Sequence, residues 1–414
     1  MKPVLLITFL LSTLWHAAAS QGKSLDYFMS QALQNSPLLK DYQFQIQSNT
    51  IDSQRIRAGY GLQINGNSTG TYAPVINGWG YDETITNLHT YNAMVGFTQT
   101  LAGKKNISNQ YRTLQLQNLG LQNLGKITEQ DVKRSITQQY ITAYGDLQQI
   151  NFNQEMLSLL KVEDTILKKL TEKGVYKQTD YLSFLVNIQQ QELLVKQIRN
   201  QYQNDLATLR YIAGLTDTAY LILDTPVLTL KELPRPEQSV FYEQFQIDSM
   251  KISAKDRQID FSYKPKINWY GDGGYNSSFI TTPYKNLGLS AGVTLAVPIY
   301  DGKQRKIQHQ KNTIAEQNRK GYQDFFRNQY SQQISRLKQQ LLLTETLIEQ
   351  TTAQIRYAET LINAQRQQLV TGDVHIADYI IAVSNYLNAK NMISQNIINK
   401  LQIINQINYW NRKP

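Results

Sequence analysis

The sequence predicts a mixed α and β protein in which a pair of strands leads into a long helical hairpin, and in which that arrangement occurs twice. Three observations predict it. One pattern is stated twice along the chain, two long intervals carry no proline, and short segments of alternating residues stand just before those intervals.

The repeated pattern is an alternating apolar run, a Gly-Lys pair, about 70 residues free of proline, and a glycine with an aspartate six positions later. The first copy runs from Val95-Gly96-Phe97-Thr98-Gln99-Thr100-Leu101 through Gly103-Lys104 to Gly174 and Asp180-Tyr181-Leu182. The second runs from Val293-Thr294-Leu295-Ala296-Val297 through Gly302-Lys303 to Gly372 and Asp378-Tyr379-Ile380. From Gly103 to Gly174 and from Gly302 to Gly372 the copies differ in length by a single residue. A repeat this long implies two equivalent units side by side rather than one enzyme core.

The helices follow from proline. Residues 75–225 and 299–413 contain none, and a proline costs about 3 kcal/mol inside a helix, so these gaps permit very long helices. In the second interval Ile334, Leu341, Ile348, Ile355, Ile362 and Leu369 recur every seven residues, with Leu337, Thr344, Thr351 and Ala358 three positions after the first four. That is a coiled-coil type of seam. In the first interval Ile136, Tyr140, Ala143, Leu147, Ile150 and Leu157 give a weaker version, interrupted by Gly120, Gly125 and Gly145. A 70-residue helix would run roughly 105 Å. Each helix is expected to turn at its glycine, Gly174 or Gly372, and return over Tyr181 to Tyr211 or Ile376 to Trp410. Ser36-Pro37 is an N-cap and first-turn proline opening another helix through about Ile56.

The strands are read from period two. Leu287, Leu289, Ala291, Val293, Leu295 and Val297 alternate with small or polar residues, and similar alternation marks Leu62 to Tyr72, Tyr91 to Leu101 and Ile267 to Tyr275. The stretches 74–90 and 276–285 are rich in glycine, asparagine, threonine and proline and read as exposed loops. Four strands of about ten residues match outer-membrane barrels in length but cannot close one, since the smallest use eight. Lipid does not tolerate open edges, so other copies of the chain must complete the sheet, as a dimer of eight strands or a trimer of twelve.

Composition narrows the class. Lys2, the apolar run Val4 to Trp15 and Ala18-Ala19-Ser20 form an export signal, so residues 1–20 are set aside from the fold and the mature chain is expected to start near Gln21. No other stretch approaches the roughly 18 apolar residues of a membrane-crossing helix. The chain has no cysteine, which excludes disulfides, thiolate chemistry and a lipid on cysteine. The net charge of +10 is spread singly along the chain, without the basic blocks of a nucleic-acid binder. Gly288-Leu289-Ser290-Ala291-Gly292 matches a hydrolase elbow, but that motif needs a sharp strand-to-helix turn and here lies within an unbroken alternation. His89, His309 and His375 lack metal spacing, and no glycine loop cradles phosphate. No enzyme activity, cofactor or metal is expected.

The chain resembles the TolC-type outer-membrane efflux channel family over nearly its whole mature length. The resemblance is carried by Ser24-Leu25-Asp26, Ala32-Leu33 and Asn35-Ser36-Pro37, and by the junction Val297-Pro298-Ile299-Tyr300-Asp301-Gly302. The hairpin turns Gly174-Val175 to Thr179-Asp180 and Gly372 to Ala377-Asp378 complete it. It implies a homotrimer in the cell outer membrane, each chain giving four strands to a shared 12-stranded barrel and long helical hairpins to a tube in the periplasm. The implied first repeat is 21–213, with strands within about 61–101, a long helix about 104–173 and a return helix about 177–212. Residues 214–240 would form an equatorial segment. The second repeat is 241–414, with strands about 266–299, a long helix about 302–371 and a return helix about 376–410. No counterpart of Asn35-Ser36-Pro37 precedes Phe241, which leaves the second entry helix open.

The resemblance implies a passive exit duct for small molecules, in contact with outer-membrane lipid and docked to a periplasmic adaptor and an inner-membrane transporter. The exit duct of a type I protein secretion system is the alternative within the fold. A periplasmic adaptor would carry one hairpin inside small β domains. Asp378, and with it Asp180, is placed at the pore constriction, against the simpler reading of carboxylates favoured at a helix N-terminus. Gly174, Val175, Tyr176, Gly372, Asp373 and Val374 would be the adaptor-docking tips, on exposed turns with no helical core to fill, with simple packing of the tips as the alternative reading. Some family members brace the closed tip with a tyrosine and an arginine where this chain has Leu369 and Val374. Trp269, Tyr91, Tyr270 and Tyr275 are candidates for an aromatic girdle, or for core at the barrel-to-helix junction.

Overall fold

The computed structural model describes residues 22–82, 89–101, 103–217, 219–232, 235–278 and 283–410. The expected export signal lies outside them. The elements are α1 (Leu25–Asn35), α2 (Pro37–Gly59), β1 (Gln63–Tyr72), β2 (His89–Leu101), α3 (Lys104–Glu172), α4 (Gln178–Ile212), α5 (Val240–Ser262), β3 (Lys266–Ser277), β4 (Leu287–Ala296), α6 (Gln304–Thr371) and α7 (Ile376–Trp410).

The proline-free intervals hold the two longest helices, α3 of 69 and α6 of 68 residues, and each returns through a helix of 35. The Ser24 side chain caps α1 by accepting from the Tyr27 amide at 3.3 Å, and Ser36 opens α2 by accepting from the Leu39 amide at 3.4 Å. The second entry helix, left open by the sequence, is α5, whose 23 residues equal those of α2. A single 3-10 turn, Pro236–Gln238, leads into it, and the buried Ser239 hydroxyl donates to the Pro236 carbonyl at 2.7 Å.

The chain divides into two compact units, and neither is one of the repeats. One contains residues up to 40, 125–240 and 326 onward; the other contains 41–124 and 241–325. Each therefore draws on both copies of the pattern.

In the helical unit, one core joins Leu25, Phe28 and Ala32 of α1 to Ile136, Tyr140, Ala143, Leu147 and Ile150 of α3 and to Ile198, Tyr202, Leu206 and Leu209 of α4. A second joins Leu157, Leu160 and Leu167 of α3 and Phe184 and Ile188 of α4 to Ile362 and Leu369 of α6 and Ile376 and Tyr379 of α7. The α6 seam is buried at Ile334, Leu337, Thr344, Thr351, Ile355, Ile362 and Leu369, while the residues between are largely exposed. Gly145 belongs inside α3 because α7 comes so close: a Cβ there would sit 3.0 Å from Ile398 Cγ1. The segment between the repeats is tied to the end of α7, since the Asn408 side chain donates to Thr229 O at 2.8 Å and accepts from the Lys231 amide at 3.0 Å.

In the other unit the strands form one antiparallel sheet in the order β1-β2-β3-β4, with β1 and β4 at open edges. The register is continuous: Ile64 lies opposite Phe97, Phe97 opposite Gly271, and Gly271 opposite Ala291.

Candidate functional site

Because successive strand residues point to opposite faces, the register sorts every side chain of the sheet. One face carries Ile64, Val95, Phe97, Leu101, Ile267, Trp269, Leu289, Val293 and Leu295. Much of it is exposed, with Leu289 at 93% and Val293 at 72%. The other face carries Asn65, Asn67, Thr69, Asn92, Thr98, Asn268, Asp272, Asn276, Ser290 and Thr294. Part of this polar face lines a hollow that includes Asn67, Thr69, Asn92, Thr98, Asp272 and Asn276. An apolar face left bare and a polar face turned into a hollow reverse the ordinary soluble arrangement and match strands with lipid on one side and water on the other.

The aromatic residues follow the same parity. Tyr91, Tyr275 and Trp269 stand on the apolar face, and Trp269 packs edge-on against Phe97 at 5.6 Å between ring centroids. Tyr270 does not join them. It belongs to the polar face, where its ring lies over Gly292 so closely that a Cβ there would meet the hydroxyl at 2.7 Å. Adjacent residues of a strand cannot share a face, so Trp269 and Tyr270 cannot both belong to one girdle. Ser290 shows its actual role here, donating to Asp272 Oδ1 at 2.8 Å across the β3-β4 pair.

The hairpin tips lie in the helical unit. Gly174 has φ +78° and Gly372 φ +82°, conformations that cost other residues about 1–2 kcal/mol. The Val175 amide bonds to Leu170 O at 2.9 Å and the Asp373 amide to Gln368 O at 3.0 Å, closing both helix ends in the same way. The tips touch each other. The Tyr176 hydroxyl lies 2.7 Å from Leu369 O and 3.1 Å from Val374 O, and a Cβ on Gly372 would sit 2.9 Å from Val175 Cγ1. Burial, then the nearby Asp373 carboxylate, push the Tyr176 hydroxyl above the usual phenol range.

This corrects one expectation. Tyr176 and Val374 do have a core to fill: both are half-buried and pack against the second apolar cluster. Val175, 48% exposed, and Asp373 remain at the surface. Asp180 and Asp378 both fall in the first turns of the returning helices, Asp180 half-buried and Asp378 exposed. With Leu369 and Val374 in place of bracing polar side chains, the tip contact runs instead from the Tyr176 hydroxyl to their backbone carbonyls.

A buried charge close behind the tips escaped sequence reading. The Glu163 side chain of α3 is 0% exposed, and Nε of Arg366 on α6 stands 2.5 Å from its Oε1. Distance alone makes this an ion pair, yet neither Glu163 oxygen has a well-directed hydrogen bond among the described residues. We read the contact as coulombic. Tyr379 of α7 is buried beside it, and burial and the Glu163 charge raise its hydroxyl well above the phenol range. The available signal was a lone glutamate at a seam position, three residues after Leu160 and four before Leu167.

No family model and no curated protein match the sequence. Solved structures do. The outer membrane protein VceC of Vibrio cholerae superposes with a TM-score of 0.76 at 12% identity, covering 94% of this chain and 96% of that one. The CmeC outer membrane channel of Campylobacter jejuni gives 0.73 at 12% identity, with 94% and 86% covered. The MtrE outer membrane channel of Neisseria gonorrhoeae, in its open state, gives 0.72 at 10% identity, with 93% and 88% covered. The chain has the fold of these TolC-type channels.

Proposed function

We propose that the chain is one subunit of a homotrimeric outer-membrane exit channel, which passes small molecules outward while docked to a periplasmic adaptor and an inner-membrane transporter. The sheet carries this reading. Its apolar face is uncovered, its opposite face is lined with Asn, Thr and Asp272, and both of its edges are open. A lone subunit in lipid would leave the free N–H and C=O groups of β1 and β4 without partners, at several kcal/mol each. Pairing β4 of one copy with β1 of the next removes the edges, hides the polar faces in a water-filled lumen and presents the apolar faces to lipid. The shared fold supports three copies and twelve strands, with the helical hairpins as a periplasmic tube.

Transport through such a duct needs no chemistry from this chain. Direction and energy come from the transporter, and the channel contributes a lumen and a gate. We assign the constriction to Asp378, where three exposed carboxylates facing one axis would draw cations. Asp180 we assign mainly to the helix end. The adaptor meets the two hairpin turns at Val175 and Asp373.

The reading is tested with the mature chain purified in detergent. A trimer by light scattering, with mixed helix and strand content and single-channel conductance in planar bilayers, is expected. A stable monomer that needs no detergent, or a trimer that never conducts, would overturn it.

A further inference from the structure

The two tips are built alike in backbone but not in charge. Residues 168–180 of the first tip carry Lys168, Lys169, Lys173 and Lys177 against Glu172 and Asp180, whereas the equivalent 366–378 carry Arg366 against Asp373 and Asp378. All four lysines are exposed, and none has an ion-pair partner among the described residues.

The repeat supplies an internal control for whether the fold requires them. Aligning Gly174 with Gly372 sets Lys169, Lys173 and Lys177 against Gln367, Thr371 and His375, which support the same turn without lysine. Lys168 aligns with Arg366, and that cation is spent on the buried Glu163. Helix electrostatics explain only part of the lysine set. Lys169 lies in the last turn of α3 and Lys173 directly follows it, where a cation is favoured. Lys177 is the N-cap of α4, a place that favours Ser, Thr, Asp or Asn, and it makes no side-chain cap bond. A cation there opposes the helix dipole. Local stability therefore does not account for Lys177, and the second tip closes the same turn with Thr371 where the first has Lys173. A surface that favours both lysines accounts for them.

We propose that the first hairpin tip is a docking collar for an acidic segment of a protein partner, with Lys168, Lys169, Lys173 and Lys177 as its contacts. This rests on the adaptor-docked reading above and adds the chemistry of the surface that meets the tip. In a trimer the basic first tips would alternate with second tips bearing Asp373, so charge alone would fix the rotational register of the partner.

The test uses the full chain in its native host, with a photo-crosslinking amino acid at the exposed Val175. Expected is a protein adduct whose crosslinked peptide carries net negative charge. Lys173→Glu with Lys177→Glu should cut its yield about tenfold, as loss of complementary charges does. Lys173→Arg with Lys177→Arg should preserve it, and trimer abundance should stay constant throughout. A peptide of neutral or positive charge, or an adduct undiminished by the glutamates, overturns the acidic partner while leaving the docking reading intact. No protein adduct at Val175, or an adduct to phospholipid alone, overturns both.

Discussion

Replacing Arg366 with methionine isolates the energetic role of the buried charge behind the tips. Glu163 is fully buried, while the Arg366 side chain is 41% exposed, so the pair is wet on one side. Removing one partner of a fully buried pair costs about 3–5 kcal/mol, because the other charge is stranded. Water at Arg366 screens part of that, which lowers the expectation to about 2–3 kcal/mol. The loss should be local, since α3, α6 and α7 meet there within one core. Hydrogen exchange in the detergent-solubilised protein reads local opening directly, and at about 1.4 kcal/mol per tenfold the amides of 160–168 and 362–369 should exchange about 30- to 150-fold faster. Glu163→Leu combined with Arg366→Leu should recover most of the protection, because apolar replacement of both partners is often neutral. If Arg366→Met leaves these amides unchanged, the charge at Glu163 is solvated in a way the geometry does not show and the pair is no brace.

Three further outcomes are expected. On α3, Asp146 faces Asp205 of α4, and burial followed by the neighbouring carboxylate pushes the Asp146 carboxyl from 3.8 to about 7; a raised folded value means stability is full below about pH 4 and is lost as pH rises through 7, so Asp146→Asn should flatten the melting-temperature profile between those limits. If Asp378 forms the proposed constriction, bilayer recordings should show a cation-selective channel blocked by a trivalent ion from the periplasmic side, and Asp378→Asn should lose much of both, with Asp180→Asn changing them less; unaltered selectivity in Asp378→Asn would reduce that residue to a helix-end carboxylate. Gly372→Ala should destabilise the tip by about 1–2 kcal/mol through its positive φ, with a further penalty from Val175 at 2.9 Å, read as faster exchange at 370–378; an unchanged tip would show that the turn relaxes freely.

What the sequence made legible tracks how local the physics is. The strands could be read because alternation is a property of neighbouring residues. The α6 seam could be read for the same reason: Ile334, Leu337, Ile355, Ile362 and Leu369 all bury as their heptad spacing requires. The entry helix α5 had no such mark. It lacks the Asn-Ser-Pro entry of α2, and its apolar residues are spread around the helix, so only the repetition of the pattern argues for it.

The tips fail for a different reason. The sequence puts Tyr176 at an exposed turn because a turn residue with no periodic apolar neighbours normally faces water. Its partners, the carbonyls of Leu369 and Val374, lie almost 200 residues away and belong to the backbone, which carries no side-chain signature in sequence. The same reasoning separates Tyr270 from Trp269, since aromatic composition is visible in a strand but the face is decided by register against its neighbours. A duplicated chain offers a way past this limit. Where both copies fold to the same backbone, residues shared between them answer to the fold, as Gly174 and Gly372 do, and residues that differ answer to something each copy does alone. By that measure Tyr176 opposite Val374, Glu163 opposite Leu361 and Lys177 opposite His375 are the positions at which the two hairpins have taken on different work.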